Sequence, residues 1–366
     1  MAFPSIPLRR LTVAAGLALA LAACGESAPS TFDASATAAD LDAAMAAFEN
    51  PVVMSFSAFS GGMDAATGGS SAALGSLALH RAPGAPFAGA KAFAAAARTF
   101  AAGGGTATPA AGLSASSAAI PPAVLGKTFV YDEAQAQYVV SDRTGGPGNG
   151  VRFVLYAVNP ATGQIVSPLN EIGYADLVDL SSGSTTSARL SIVSDGTTYL
   201  EYTASGSTTS TSASVRVDGF VTNGTTRANF DLDTKLVGSP TGGSTTLDYS
   251  LDVPQRKLAL DYQLSFTTAS GADQLSLDLS LKGPNGWVNI TGKAQPADGA
   301  QFDVKVNGEG FAKLTSDGTT VTFTDENGQP LTEADRTALA KIWDWVDAGF
   351  GIFIVLLSPL GSLFGG

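Results

Sequence analysis

Between residues 127 and 324, apolar and polar residues alternate in short segments that are separated by turn residues. In the clearest segment, 257–266, every second residue is large and apolar, and the residues between are small or polar. A period of two with one apolar and one charged face predicts antiparallel strands that cover a core on one side and meet water on the other. The apolar positions of four such segments are Leu247, Tyr249, Leu251, Val253, Leu258, Leu260, Tyr262, Leu264, Phe266, Leu275, Leu277, Leu279, Leu281, Phe302, Val304 and Val306. The opposite positions include Asp248, Asp252, Asp261, Asp278 and Asp303.

Turn residues recur between these segments. Asn, Asp, Gly and Pro are concentrated at residues 159–163, 194–196, 222–224, 283–286 and 317–318. These residue types supply the backbone conformations that tight hairpins require, and their spacing predicts about a dozen strands. A sheet of that length is expected to curl, which removes or shortens its edges. The predicted fold class is therefore mainly β: a long antiparallel meander curled into a barrel or half-barrel and packed by a C-terminal helix.

Helical periodicity is confined to regions outside the strand segments. Residues 38–49 are rich in Ala and place Leu41, Met45 and Phe48 along one side. This pattern predicts a short amphipathic helix. The dipeptide Asn50–Pro51 is expected to end that helix, because the residue before a proline is pushed out of helical conformation.

A second helix is predicted near the C terminus. Residues 332–335 have the composition of a helix cap, and the apolar side of the following helix carries Leu339, Ile342, Trp343, Val346 and Phe350. The apolar run 352–357 that follows is shorter than the roughly 20 residues of a membrane-spanning helix. We expect this helix to pack on the apolar face of the sheet as a plug or lid. A membrane-dipping tail and a partner-binding element are the alternatives.

The N-terminal residues have the arrangement of a secretory signal peptide, with a basic region followed by an apolar run. Arg9 and Arg10 precede a short apolar run, which ends on Leu21-Ala22-Ala23-Cys24, and Cys24 is the only cysteine of the chain. These four residues resemble the lipobox of bacterial lipoproteins. The resemblance implies a diacylglyceryl group on Cys24, cleavage before it and acylation of the new amino terminus. Gly25 follows, and by the same resemblance the absence of Asp there favours the outer membrane. An ordinary secretory signal with an incidental cysteine is the alternative.

Composition then divides the chain into three parts. Residues 1–23 are the predicted lipoprotein signal peptide. Residues 24–125 are a lipidated tether with short helices and an Ala/Gly/Ser-rich low-complexity region, where large apolar residues are too sparse to offset the entropy of ordering. Residues 126–366 are the antiparallel β domain with its C-terminal helix. With its sole cysteine acylated the chain forms no disulfide, so the domain relies on a hydrophobic core.

Charge excludes one class of partner. The formal net charge is −12 at pH 7, whereas nucleic-acid binding needs basic patches that neutralise phosphates. We therefore expect no nucleic-acid partner. The expected contacts are the membrane, through the N-terminal lipid, and an envelope protein or a lipid ligand.

The sequence contains no complete motif for phosphate binding, calcium binding or catalysis. Residues 126–128 lack the first glycine of a phosphate-binding loop, because Pro121 stands there. His80 is the only histidine and lies in the low-complexity region. The acidic stretch 325–328 misses the register of a calcium loop, since Phe323 would be its first ligand. The Asp residues alternate with apolar residues along the strands, which is the pattern of a solvent-exposed face rather than of a catalytic carboxylate pair. We predict no catalytic residue, no metal, no cofactor and no enzymatic activity.

Three functions remain. The first is an outer-membrane-anchored envelope lipoprotein, facing the periplasm or the cell surface, that acts as a structural or protein-interaction module. The second is a half-barrel that binds an apolar ligand or lipid, which is similar in architecture alone to the lipoprotein-carrier half-barrels. Its predicted lining residues are Leu258, Leu260, Tyr262, Leu277, Leu279, Trp343 and Phe350. The third is an integral outer-membrane β-barrel, whose strands also alternate over about 10 residues, although the many Asp residues argue against it.

Overall fold

The alternating pattern builds a single sheet, which dominates the computed structural model. The structure describes residues 33–48, 50–57, 120–159, 162–183, 185–209, 211–239, 242–269, 272–295, 299–316, 321–342 and 344–345. In this part of the chain the sheet has fifteen strands. They are β1 (Thr128–Asp132), β2 (Gln137–Ser141), β3 (Gly150–Tyr156), β4 (Glu171–Asp179), β5 (Thr186–Ser194), β6 (Thr197–Thr208), β7 (Ser212–Thr222), β8 (Arg227–Ser239), β9 (Gly242–Val253), β10 (Leu258–Ala269), β11 (Ala272–Gly283), β12 (Gly286–Gln295), β13 (Gly299–Val306), β14 (Glu309–Ser316) and β15 (Val321–Thr324).

Strand order follows chain order from β3 to β15, and all these neighbours pair antiparallel. The predicted meander is therefore confirmed. One irregularity occurs at its start, where β1 pairs antiparallel with β2 and parallel with β3. Residues 142–149 cross back from β2 so that β3 lies on the other side of β1. The sequence predicts either a closed barrel or an open half-barrel. The sheet is open, because its strand order begins at β15 and ends at β2 and it does not close on itself.

The hairpins use the predicted turn residues. Between β5 and β6, Asp195 and Gly196 have φ values of 47° and 74°. Two consecutive residues with positive φ form the turn that matches the twist of two-residue hairpins, and Asp-Gly is a preferred pair for it. The predicted turn at 317–318 lies outside the described residues.

Two helices precede the sheet in the chain. Helix α1 (Ala34–Phe48) begins earlier than the predicted residue 38, because Asp33 caps it by accepting a hydrogen bond from the backbone N–H of Ala36 at 2.9 Å. Its end before Asn50–Pro51 agrees with the prediction. Helix α2 (Pro51–Ser57) then begins at once, since proline is favoured at the first helical position. Asn50 caps it, accepting a hydrogen bond from Val52 N–H at 2.8 Å.

Helix α3 follows β15, and its described residues are 333–342 and 344–345. The predicted cap is confirmed, because Thr332 Oγ1 accepts a hydrogen bond from the backbone N–H of Asp335 at 3.2 Å and donates one to the Asp335 carboxylate at 2.6 Å. Leu339 and Ile342 are fully buried, as predicted. Val346, Phe350 and the apolar run 352–357 lie outside the described residues.

One contiguous core joins the sheet to the helices. Helix α1 contacts β7 and β8, and α2 contacts β3 to β6. Fifteen strands would span roughly 67 Å if the sheet were flat, whereas α1 is only about 22 Å long. The sheet therefore has to twist and curl for short helices and its own side chains to bury one face.

Candidate apolar binding face

The apolar face is the side of the sheet that carries the predicted apolar positions of β9 to β13. Five of the seven predicted lining residues lie there, on β10 and β11, and none is more than 4 % exposed. The strand register brings Tyr262 opposite Leu279, and Leu264 opposite Leu277. The five residues are Leu258, Leu260, Tyr262, Leu277 and Leu279. The other two, Trp343 and Phe350, lie outside the described residues, as does the lipidation candidate Cys24.

The opposite face of the sheet is polar. Asp248, Asp252, Asp261, Asp278 and Asp303 are all exposed, as the alternation predicts. Neighbouring amides bind two of these carboxylates, because Gln263 Nε2 donates to Asp248 at 2.6 Å and Asn289 Nδ2 donates to Asp278 at 3.0 Å. Among the described residues, no group of three or more His, Cys, Asp or Glu side chains could hold a metal ion. This side of the sheet is a hydrated surface in which carboxylates are spaced along the strands.

Helix α1 is attached to one end of the sheet by polar contacts. The Asp40 carboxylate accepts a hydrogen bond from Asn285 Nδ2 at 3.0 Å and lies 3.7 Å from Arg256 Nη1. Asn223 Nδ2 donates to the carbonyl oxygen of Ala46 at 3.4 Å. These residues lie in the turns β7–β8 (Asn223), β9–β10 (Arg256) and β11–β12 (Asn285). Every second turn of an antiparallel meander lies at the same end of the sheet. We call this the covered end, because α1 crosses the strand ends there.

Burial along β8 and β10 decreases away from the covered end. Along β10, Leu258, Leu260 and Leu264 are almost fully buried, whereas Phe266 at the far end is only partly buried. Leu236 on β8 is partly buried at the same level as Phe266. The apolar face therefore has a covered end under α1 and a far end where Leu236 and Phe266 are more accessible, although Thr245 and Leu275 at the same level are buried.

Helix α3 adds an apolar stripe to the core and is linked to α1. Ala338, Leu339, Ile342 and Trp345 are buried, and Lys341 forms an ion pair with Asp42 of α1. The predicted stripe passes through Trp343 and does not include Trp345. The spacing 338, 339, 342, 345 also has helical periodicity, so the signal was present in the sequence.

The core buries several hydroxyl-bearing side chains, among them Tyr202, Tyr249 and Thr234. Burial raises the pKa of the Tyr202 and Tyr249 hydroxyls above the usual value, because the phenolate would be desolvated. Thr234 on β8 is 0 % exposed, and the register places it between Val215 and Leu247 on the apolar face. Thr234 is not among the predicted site residues, although its inward position between Leu232 and Leu236 is visible in the sequence.

The edge formed by β1, β2 and β3 is packed through aromatic side chains. The rings of Phe129 and Phe153 stack with centroids 4.8 Å apart, and the Tyr138 hydroxyl donates to the Val154 carbonyl oxygen at 2.9 Å. Burial raises the pKa of Tyr138. Thr128, the last residue of the rejected phosphate-loop motif, is the first residue of β1, and its side chain is buried. This edge is built as a packed core.

Comparison with known proteins found no family model, curated protein or solved structure that matches this chain. In the part of the chain that the structure describes, no helix has the length and apolar character needed to cross a membrane. An extended aliphatic surface under helices can bind hydrocarbon chains by burial of apolar area.

Proposed function

We propose that this chain is a lipid-anchored lipoprotein of the bacterial cell envelope whose sheet and helices enclose the acyl chains of a lipid. The observation that carries the proposal is the apolar face. It belongs to an open sheet, on which α1 packs against β7 and β8, and the described polar contacts of α1 with the sheet lie at the covered end. The same face would be filled core if the protein were a structural or protein-interaction module, which is the alternative.

Helical cover favours a binding function over a permanently closed core. Helices α1 and α2 place Leu41, Phe48, Val53 and Phe56 in the core. Apolar contacts of this kind are non-directional, so displacing a helix would break none of the hydrogen bonds between strands. An acyl chain can then replace helix side chains against leucine. Each buried methylene contributes about 0.8 kcal/mol, from which the costs of association and ordering are subtracted.

The lipobox residues support the anchor in the proposal. A diacylglyceryl group and an amide-linked acyl chain on Cys24 would give stable attachment, because two or more chains are needed for it. The full chain has a net charge of −12 at pH 7, and loss of Arg9 and Arg10 with the signal peptide would make the body more acidic. This negative charge would keep the body soluble and away from anionic headgroups. Such a protein would act at the outer membrane and exchange lipid with an envelope partner.

Native mass spectrometry of residues 25–366, purified from a bacterial periplasm without detergent, tests lipid binding. We expect an additional mass that extracts as lipid. Leu277→Phe adds volume on the apolar face and should reduce the lipid-bound fraction. Ser276→Phe adds a larger side chain on the polar face, one residue away, and should leave the lipid-bound fraction unchanged. A lipid-free mass that takes up no added lipid would contradict the proposal and favour the filled-core alternative.

Membrane fractionation tests the anchor separately. Wild-type protein should remain with the membranes after a high-salt wash, whereas Cys24→Ala should not receive the diacylglyceryl group. Ser27→Ala, which changes a nearby residue of the tether, serves as the control. If metabolic labelling with a radioactive fatty acid marks Cys24→Ala as strongly as the wild type, the proposed lipidation site is wrong.

A further inference from the structure

We infer that Thr234 holds the neutral polar linkage of the bound lipid, with the acyl chains running from it toward the covered end. This inference rests on the proposed function and specifies which lipid the apolar face takes. Thr234 is the one hydroxyl in a row of apolar side chains across the sheet. The row, read from β7 to β11, is Val215, Thr234, Leu247, Leu264 and Leu277.

The Thr234 hydroxyl is buried without a partner. Its residue is 0 % exposed, and Oγ1 has no hydrogen-bond partner in the part of the chain that the structure describes. Leaving a buried donor unsatisfied costs free energy, so such groups are rare in native proteins and need an explanation. A ligand that accepts a hydrogen bond from Oγ1 would remove this cost. Thr128 at the β1 edge has the same property, but Thr234 differs in lying within the aliphatic row of the apolar face, where a bound acceptor would satisfy its hydroxyl.

The position of Thr234 in the fold suits the boundary between the polar linkage and the acyl chains of a lipid. One step farther along the strands, Leu236 and Phe266 are only partly buried, so Thr234 lies just inside the accessible far end. On β9 the diagonal neighbour Thr245 is also buried, at 4 % exposure. Two threonine hydroxyls thus lie next to the far end, and aliphatic side chains extend from there to the covered end.

Distance and charge restrict the class of lipid. From Thr234 to Ala228 at the covered end, β8 runs for roughly 20 Å, which exceeds the ~15 Å of one leaflet of a bilayer's hydrocarbon core. The apolar face in this row carries no charged side chain, and Lys235 next to Thr234 is exposed on the other side of the sheet. A hydroxyl in an apolar row suits a neutral acceptor such as an ester carbonyl, because an isolated carboxylate there would lose its hydration without a counter-ion. The inferred ligand is an acylglycerol-type ester.

The test compares two lipids and two matched variants of the mature chain, residues 25–366. Thr234→Val replaces the hydroxyl by a methyl group of similar size. Thr128→Val makes the same change at another buried threonine whose Oγ1 lacks a partner among the described residues, at the β1 edge. Binding of dioleoylglycerol and of hexadecane is measured for both. Both variants should unfold at the same or higher denaturant concentration than wild type, since each removes an unsatisfied hydroxyl.

We expect Thr234→Val to weaken dioleoylglycerol binding about three- to tenfold, the value of one buried hydrogen bond, with hexadecane binding unchanged. Thr128→Val should alter neither affinity. If Thr234→Val binds both ligands as wild type does, or loses both equally, the inferred role of Thr234 is overturned while lipid binding stands. If wild-type protein binds neither ligand, the proposed function itself fails.

Discussion

Tyr202 on β6 lies directly opposite Gly219 on β7, and its Cα and Cβ atoms lie so close that the glycine position has no room for a side chain. A Cβ atom added to Gly219 would lie 2.5 Å from Tyr202 Cβ and would also collide with the carbonyl oxygen of Glu201. The same relationship recurs between Gly292 on β12 and Phe302 on β13. There an added Cβ would lie 2.5 Å from Phe302 Cδ1. Glycine opposite an aromatic residue lets a large ring cover the strand beside it.

Adding a methyl group at either glycine should destabilise the protein. We expect Gly219→Ala and Gly292→Ala to lower the free energy of unfolding by about 1–3 kcal/mol each, because the new Cβ overpacks against backbone atoms of the next strand. Gly148→Ala is the control, since an added Cβ there meets nothing within 4 Å. Urea denaturation measures all three. Equal stabilities for Gly219→Ala and Gly148→Ala would show that the strands move apart without cost.

Stability should fall at high pH through the buried tyrosines. Burial raises the pKa of Tyr202 and Tyr249 in the folded state, so the unfolded chain ionises first, at about pH 10. The stabilisation is fully present below that pH and is lost as the pH rises toward the folded-state pKa. Each such tyrosine contributes a slope of up to about 1.4 kcal/mol per pH unit.

Tyr202→Phe tests this pH dependence. The variant should lose free energy of unfolding less steeply than wild type above about pH 10, because one titrating group has been removed. Urea denaturation at several pH values gives the two slopes, which are compared independently of any difference at neutral pH. Parallel curves above pH 10 would mean that Tyr202 ionises equally in the folded and unfolded states.

The attachment of α1 should depend on Asp40. Asp40→Ala removes the acceptor for Asn285 Nδ2 and the carboxylate near Arg256, and we expect a loss of about 0.5–1.5 kcal/mol. Hydrogen exchange in α1 should then be about two- to tenfold faster, since local opening costs less. Ser35→Ala, an exposed change in the same helix, should leave exchange unchanged or slower. Unchanged exchange in Asp40→Ala would place the attachment of α1 in its apolar contacts alone.

Two bidentate arginine pairs near the β1–β3 edge should differ in importance. Arg152 binds Asp176 through two hydrogen bonds of 2.7 Å and lies 3.7 Å above the Tyr174 ring. The side chains of this pair are only 25 % and 17 % exposed. Arg152→Lys cannot keep both hydrogen bonds and the ring contact, so we expect a loss of about 1–3 kcal/mol.

Arg143→Lys is the matched comparison for Arg152→Lys. Arg143 also binds a carboxylate, that of Glu171, through two hydrogen bonds, and this contact lowers the pKa of Glu171. Both side chains are about half exposed, at 50 % and 47 %, so water and salt screen the pair. Thermal denaturation of the two variants should show the larger decrease in Tm for Arg152→Lys. Equal decreases would contradict the argument from burial.

Local patterns in the sequence determined the strands, their faces and the helix caps. The period of two placed Leu258, Leu260 and Tyr262 on the buried side, because a strand alternates its side chains whatever its neighbours are. Asp195–Gly196 and the cap at Thr332 could likewise be predicted, since each depends on residues within one turn of the chain. These predictions require no knowledge of distant contacts.

Contacts between distant residues decided the rest. The sequence left open whether the sheet closes, and it did not show that β1 lies parallel to β3, because pairing across many residues depends on how the whole sheet twists and packs. The attachment of α1 through Asp40 joins residues that are far apart in the chain, so no local spacing encodes it. In the sequence, nothing distinguishes Thr234 from the other threonines of the strands. Only the tertiary structure, by surrounding it with apolar side chains, turns its hydroxyl into a buried group without a described partner.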